Sequence, residues 1–163
     1  MTQKVVGDVI KIEHGEYDET IDALVKALEE TPDLDWGTSP EGDPWIIVGD
    51  RTSTGLTYPA AFIPQFTKIR DDNESDTETE LHGVQAVVWV IQSADVKQQE
   101  ANLREAIRLG ARVENQLYEN RTLDRTCSRL VVDEMEPGAG VIDGSAVQTV
   151  SLSLTIIKTA DIH

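Results

Sequence analysis

From Thr149 to Ile156 apolar and hydroxyl side chains alternate without a break, Val150, Leu152, Leu154 and Ile156 against Thr149, Ser151, Ser153 and Thr155. Successive side chains of a strand point to opposite faces, so this run predicts a strand over about 147–158 that is buried on one side only. A mainly antiparallel sheet carrying helices on one face accepts such a strand. An all-parallel sheet, buried on both faces, does not.

The rest of the chain supplies matching parts. Ile21, Leu24, Val25 and Leu28 recur at helical spacing behind Asp18 and Glu19, and Thr31-Pro32 stops the pattern, which predicts a short helix over Asp18–Glu30. Trp45–Val48 reads as a strand, and Tyr58–Ile69 as a second one. Pro59 and Pro64 place that second run at a sheet edge or at a bend. Leu81–Gln92 is a strong strand whose centre, Ala86 to Ile91, is apolar on both faces. Its second face needs cover from another part of the chain or, the preferred reading, from another subunit.

Asp95 with Gln98 three residues on predicts a capping box that opens a long helix over about 95–119. Its expected buried stripe is Leu103, Ala106, Ile107, Gly110, Val113 and Leu117, with Gly110 marking close approach to the sheet. Strands over about 127–135 and 147–158 follow, joined by a Pro137–Gly144 connection. The expected fold is therefore α+β: a mainly antiparallel sheet with a short N-terminal helix and one long helix packed on one face.

At 163 residues the chain is one domain's worth, 1–163, and long enough to bury a core without metals or disulfides. Residues 1–13 carry Val5, Val6, Val9, Ile10 and Ile12 and fit either an arm or an extra stretch of helix. Thirty acidic against fourteen basic residues give a net charge of −16. A surface this acidic argues against general binding of nucleic acid and against an anionic membrane. The carboxylates run from Asp8 to Asp161, so they form no tail. Screening at molar salt would relieve their repulsion, and with only six lysines the composition points to a halophilic source, with a mesophilic acidic protein as the alternative. The single Cys127 forms no internal disulfide, no apolar run is long enough to span a membrane, and no export signal is legible.

No catalytic motif is present. His14, His82 and His163 stand in unrelated contexts, and HExxH, CxxC, GxSxG, P-loop and GxGxxG are all missing. The chain is expected to be no enzyme and to hold no cofactor and no metal. Cys127 reads as a structural thiol. Asp71, Asp72, Glu74, Asp76, Glu78 and Glu80 put six carboxylates into ten residues, but without the glycine and closing glutamate of a calcium loop. They are read as a solvated 71–80 loop, with a divalent ion or a partner contact, at a neighbouring ring or a lumen, as the alternatives. Arg104, Arg108 and Arg112 stand four apart on the long helix. They fit a solvated face with a Glu100–Arg104 pair, or a basic side that meets a neighbour's acids head to tail. With Trp89, on the second face of the 81–92 strand, they are the candidate interface residues. Asn120-Arg121-Thr122 matches a glycosylation sequon by chance.

Element order and local sequence converge on one family. A short N-terminal helix precedes Tyr58-Pro59 and Ala-Ala-Phe-Ile. A His-led strand from His82 through Trp89 then runs straight into a long helix. After Leu117-Tyr-Glu-Asn and Arg121-Thr-Leu-Asp, a strand pair ends in the Leu/Ser/Thr alternation. Over nearly its whole length the chain resembles the tail terminator, or tail-completion, proteins of long-tailed phages and archaeal tailed viruses. The acidic 71–80 loop and the 1–13 extension depart from the pattern.

The resemblance implies a structural virion protein of the head–tail junction, assembled in the host cytoplasm. It would form a homohexameric ring on the head-proximal end of the tail tube. Its partners would be further copies of itself, the tail tube protein and a neck or connector protein, with DNA passing through unbound and no membrane involved. Six subunits would present 6 × −16 = −96 charges to that DNA, a non-adhesive lumen. Another head–tail connector, such as a stopper or head-completion protein, and a small ligand-binding regulatory α+β domain remain as alternatives.

Overall fold

A computed structural model describes residues 14–49, 55–71 and 79–161. The element order is α1 (His14–Glu29), β1 (Ile46–Val48), β2 (Ala60–Asp71), β3 (Thr79–Ser93), α2 (Gln99–Glu119), β4 (Arg129–Ile142) and β5 (Ser145–Asp161). The strands form one sheet in the order β1-β2-β3-β5-β4. Only β1 and β2 run parallel; the other three pairs are antiparallel. The fold is the expected α+β arrangement.

The alternation in the last strand is realised from Val150 on: Val150, Leu152, Leu154 and Ile156 are at most 1% exposed and Ser151, Ser153 and Thr155 half-buried, while Thr149, expected on the open face, is buried. The four apolar residues meet Val84, Ala86, Val88 and Val90 of β3 and the inner faces of both helices in a single core. Burying each such aliphatic side chain is worth ~1.5–3 kcal/mol, which makes this face the main source of stability. Gly110 behaves as its place in the stripe predicts. A Cβ there would lie 2.4 Å from Met135 Sδ and 2.9 Å from Val150 Cγ2, so α2 rides directly on β4 and β5.

Several expectations are corrected. Helix α1 begins at His14, a turn earlier than Asp18, and its buried stripe is Thr20, Ala23, Leu24, Ala27 and Leu28, with Ile21 and Val25 half-buried. Two alanines let the helix sit closer than the branched residues would. Helix α2 begins at Gln99 instead of 95. Asp95 makes a turn of its own, its Oδ1 accepting from Lys97 N–H at 2.9 Å and its carbonyl from Asn102 Nδ2 at 2.7 Å, so the capping box does not form. The stripe of α2 includes Leu109, while Leu103 and Ile107 are 44% and 42% exposed.

The supposed Pro137–Gly144 connection is strand. Residues 137–142 pair with 145–150, and the turn is the dipeptide Asp143-Gly144, with φ of 52° and 79°. Those positive values match a two-residue hairpin turn, which follows the twist of its strands. At the other end, Asp71 pairs with Leu81 and Glu80 with Ala160, so these acids begin and end strands. Pro64 falls at the register shift between Phe62 and Gln65, just where β1 stops pairing at Ile63. A residue without N–H is tolerated at that break.

The second face of β3 is covered in part by the chain itself. Leu56, Phe62, Ile91 and Val147 form a smaller cluster, with Trp45, Ile47, Tyr58 and Ile142 packed against it. Segment 55–59 thus does at one end of the sheet what a neighbouring subunit was expected to do. Val87 remains half-buried and Trp89 is 37% exposed.

Candidate subunit interface

The residues singled out from the sequence do not converge. Arg104 and Arg108 lie on the outer side of α2. Arg104 Nε donates to Glu100 at 2.9 Å, and Arg108 pairs with Glu105 at 2.9 Å, one helical turn away in each case. Both pairs are solvent-exposed and worth ~0–1 kcal/mol, and each cancels an arginine within its own helix. Arg112 is half-buried beside Asp33 and Glu119, around a shallow depression. Trp89 stands on the opposite face of the sheet, across from Phe62 and Ser151. Asp72, Glu74, Asp76 and Glu78 lie outside the described residues, as do residues 1–13 and His163; Asp71 and Glu80 frame the β2–β3 hairpin end.

A different set does come together. Val96 (67% exposed), Leu103 (44%) and Val141 (70%) surround a groove of about 650 Å³ on the helix side of the sheet. Its walls are the turn at Ala94–Val96, the first turns of α2 and the β4–β5 hairpin, and its floor is made of small residues, among them Ala139 and Ala146. Gln148 is buried at its base, where Nε2 donates to the Gly138 carbonyl. Ile107, one turn beyond Leu103, extends the apolar flank along α2. These four exposed apolar side chains thus lie together on one side of an acidic chain.

Sequence reasoning missed this set because it placed Leu103 and Ile107 in the core and Val141 in a loop. One available signal was overlooked: Asp143-Gly144 between Val141-Ile142 and Ala146-Val147 is a hairpin signature.

The opposite end of the helical layer is closed. The turn after α2 places Leu123, Asp124 and Arg125 at φ of 46°, 57° and 69°, and seats Leu123 with no exposure in the core. Lys158 Nζ donates to the Thr126 carbonyl at 2.6 Å and lies 5.0 Å from the centre of the Tyr17 ring, tying β5, this turn and α1 together. Burial pushes the Cys127 thiol up from 9.0 to about 11, against the lowering influence of the Lys158 charge. Among the described residues no group of three His, Cys, Asp or Glu is placed to hold a metal ion, and no helix is long and apolar enough to cross a membrane.

No protein-family model matches this chain, and no curated protein matches it.

Proposed function

We propose that this chain is a structural protein that assembles into a ring at the head-proximal end of a viral tail tube, ending tube polymerisation and joining tail to neck. The observation that carries the assembly part of this reading is the cluster of Val96, Leu103, Ile107 and Val141, exposed on a subunit of net charge −16. A monomer gains nothing from holding such side chains in water, whereas a subunit contact buries them. The tail position rests on the resemblance in element order, and the order α1-β1-β2-β3-α2-β4-β5 supports it. A hexamer and a halophilic viral source belong to the same proposal, as do the tube and neck proteins as partners.

The test is negative-stain microscopy of the purified chain in molar salt, alone and after mixing with tail tubes. Rings, and tubes capped at one end, are expected. Rings that ignore tube ends but bind a neck component would move the chain to the stopper or head-completion class. Monomers throughout would end the proposal.

A further inference from the structure

Resting on the ring reading and extending it, we infer that the groove beside Val96, Leu103 and Val141 receives the apolar segment Val5–Ile12 of a neighbouring copy of the same chain. Three observations select this occupant.

The first is composition. The stretches outside the described residues are 1–13, 50–54, 72–78 and 162–163. Residues 50–54 are polar and 72–78 acidic; 5–12 holds five aliphatic residues, Val5, Val6, Val9, Ile10 and Ile12. The groove wall offers the matching chemistry: Val96, Leu103, Pro137, Ala139, Val141 and Ala146.

The second is charge. Lys11 against Asp8 leaves residues 5–12 with a formal side-chain charge of 1 − 1 = 0, in a chain of −16, so the segment brings no net repulsion to an acidic neighbour. Glu100 lines the groove, with no lysine or arginine among the lining residues, while Asp95 and Lys97 offset each other in the turn beside it.

The third is reach, and it favours a neighbour's segment over the chain's own. Helix α1 starts at His14, three residues before Tyr17, which lies against Lys158. The groove's floor is at Gln148, ten residues away along β5, a distance of ~33 Å at ~3.3 Å per residue. Val9 precedes His14 by five residues and extends at most ~18 Å from it, so only the far end of the segment, Val5 at up to ~32 Å when fully stretched, approaches that separation. A segment leaving one end of the subunit and a groove at the other are different surfaces, so their contact is head-to-tail. Such contacts close into a ring when the rotation per subunit allows it.

Disulfide trapping tests this in the full chain. Val9→Cys with Val141→Cys on a Cys127→Ser background should give a ladder of linked species on a non-reducing gel after mild oxidation in molar salt. In an otherwise unaltered chain, Leu103→Ser with Val141→Ser should raise the concentration at which rings dissociate by about tenfold or more, because two aliphatic contacts are lost. The melting temperature of the subunit should be unchanged, since both side chains are already exposed. A link that closes within one chain would overturn the inference. So would rings that persist with no ladder and no change in dissociation, and this outcome would leave the ring reading intact. A monomeric parent with no ladder would remove both.

Discussion

The two halves of α2 are written in the same pattern and meet opposite fates. Leu103, Ala106, Gly110, Val113 and Leu117 keep one helical spacing, yet Val113 and Leu117 are fully buried while Leu103 is 44% exposed. The C-terminal half is closed by α1, by the Leu123 turn and by Tyr118, whose hydroxyl accepts from the Val132 N–H at 3.0 Å. The N-terminal half looks onto Gly138, Ala139, Gly140 and Ala146, which are too small to rise and meet it. Helical periodicity therefore says which side of a helix is apolar. It does not say how far along that side the chain supplies its own partners.

The sharpest way to break the comparison is to damage the core that both halves share. Leu154→Asp places a charge under the closed half with nothing to pair it, and should abolish folding, at more than about 4 kcal/mol. A cooperative thermal transition for this variant, followed by circular dichroism in molar salt, would mean the faces of β5 are misassigned. A paired substitution then separates the halves. Leu117→Ala should cost ~2–5 kcal/mol in denaturant unfolding of the subunit, and Leu103→Ala no more than ~0.5 kcal/mol. Equal losses would erase the distinction.

Gly110 sits at the boundary between the two regimes. Gly110→Val should destabilise by ~1–3 kcal/mol, since Met135 can swing aside but Val150 is held in the core. A neutral result would show that α2 can lift off the sheet.

The smallest effect is a rate. With its pKa near 11, Cys127 should react with iodoacetamide at pH 8 about a hundredfold more slowly in the folded chain than after unfolding. The raised value also means that the folded state favours the protonated thiol. Its contribution is complete below the ordinary value of 9.0 and is lost as pH climbs towards about 11. Fast labelling of the folded chain would show that the Leu123 turn opens freely.

Much of the fold was legible where one local cause decides one local outcome. The alternation through Val150 to Ile156, the strand ending at Ser93 and the Gly110 contact all follow from side-chain period and size. Errors gathered where two segments compete for one place. Asp95 and Gln98 satisfy the letter of a capping box, but Asn102 takes the Asp95 carbonyl and the turn tightens before the helix starts. The second face of β3 asked for cover, and nothing local in Leu56 or Tyr58 announced that they would fold over Ile91 and supply part of it. The candidate interface was the least legible feature. The arginine row was conspicuous by spacing, yet two of its members are engaged with acids of their own helix.

By itself the sequence determined the two periods, one charge sign and the positions where the chain must turn. Those settle an α+β chain with a one-sided strand at its end, because period and turn chemistry act over a few residues and need no distant partner. Tertiary structure alone decided that β5 lies between β3 and β4. It also decided that the groove opens where the small residues of the β4–β5 hairpin pass under the start of α2. Whether an apolar side chain is covered depends on which residues the sheet brings opposite it, often tens of positions away, and no window of the sequence contains both.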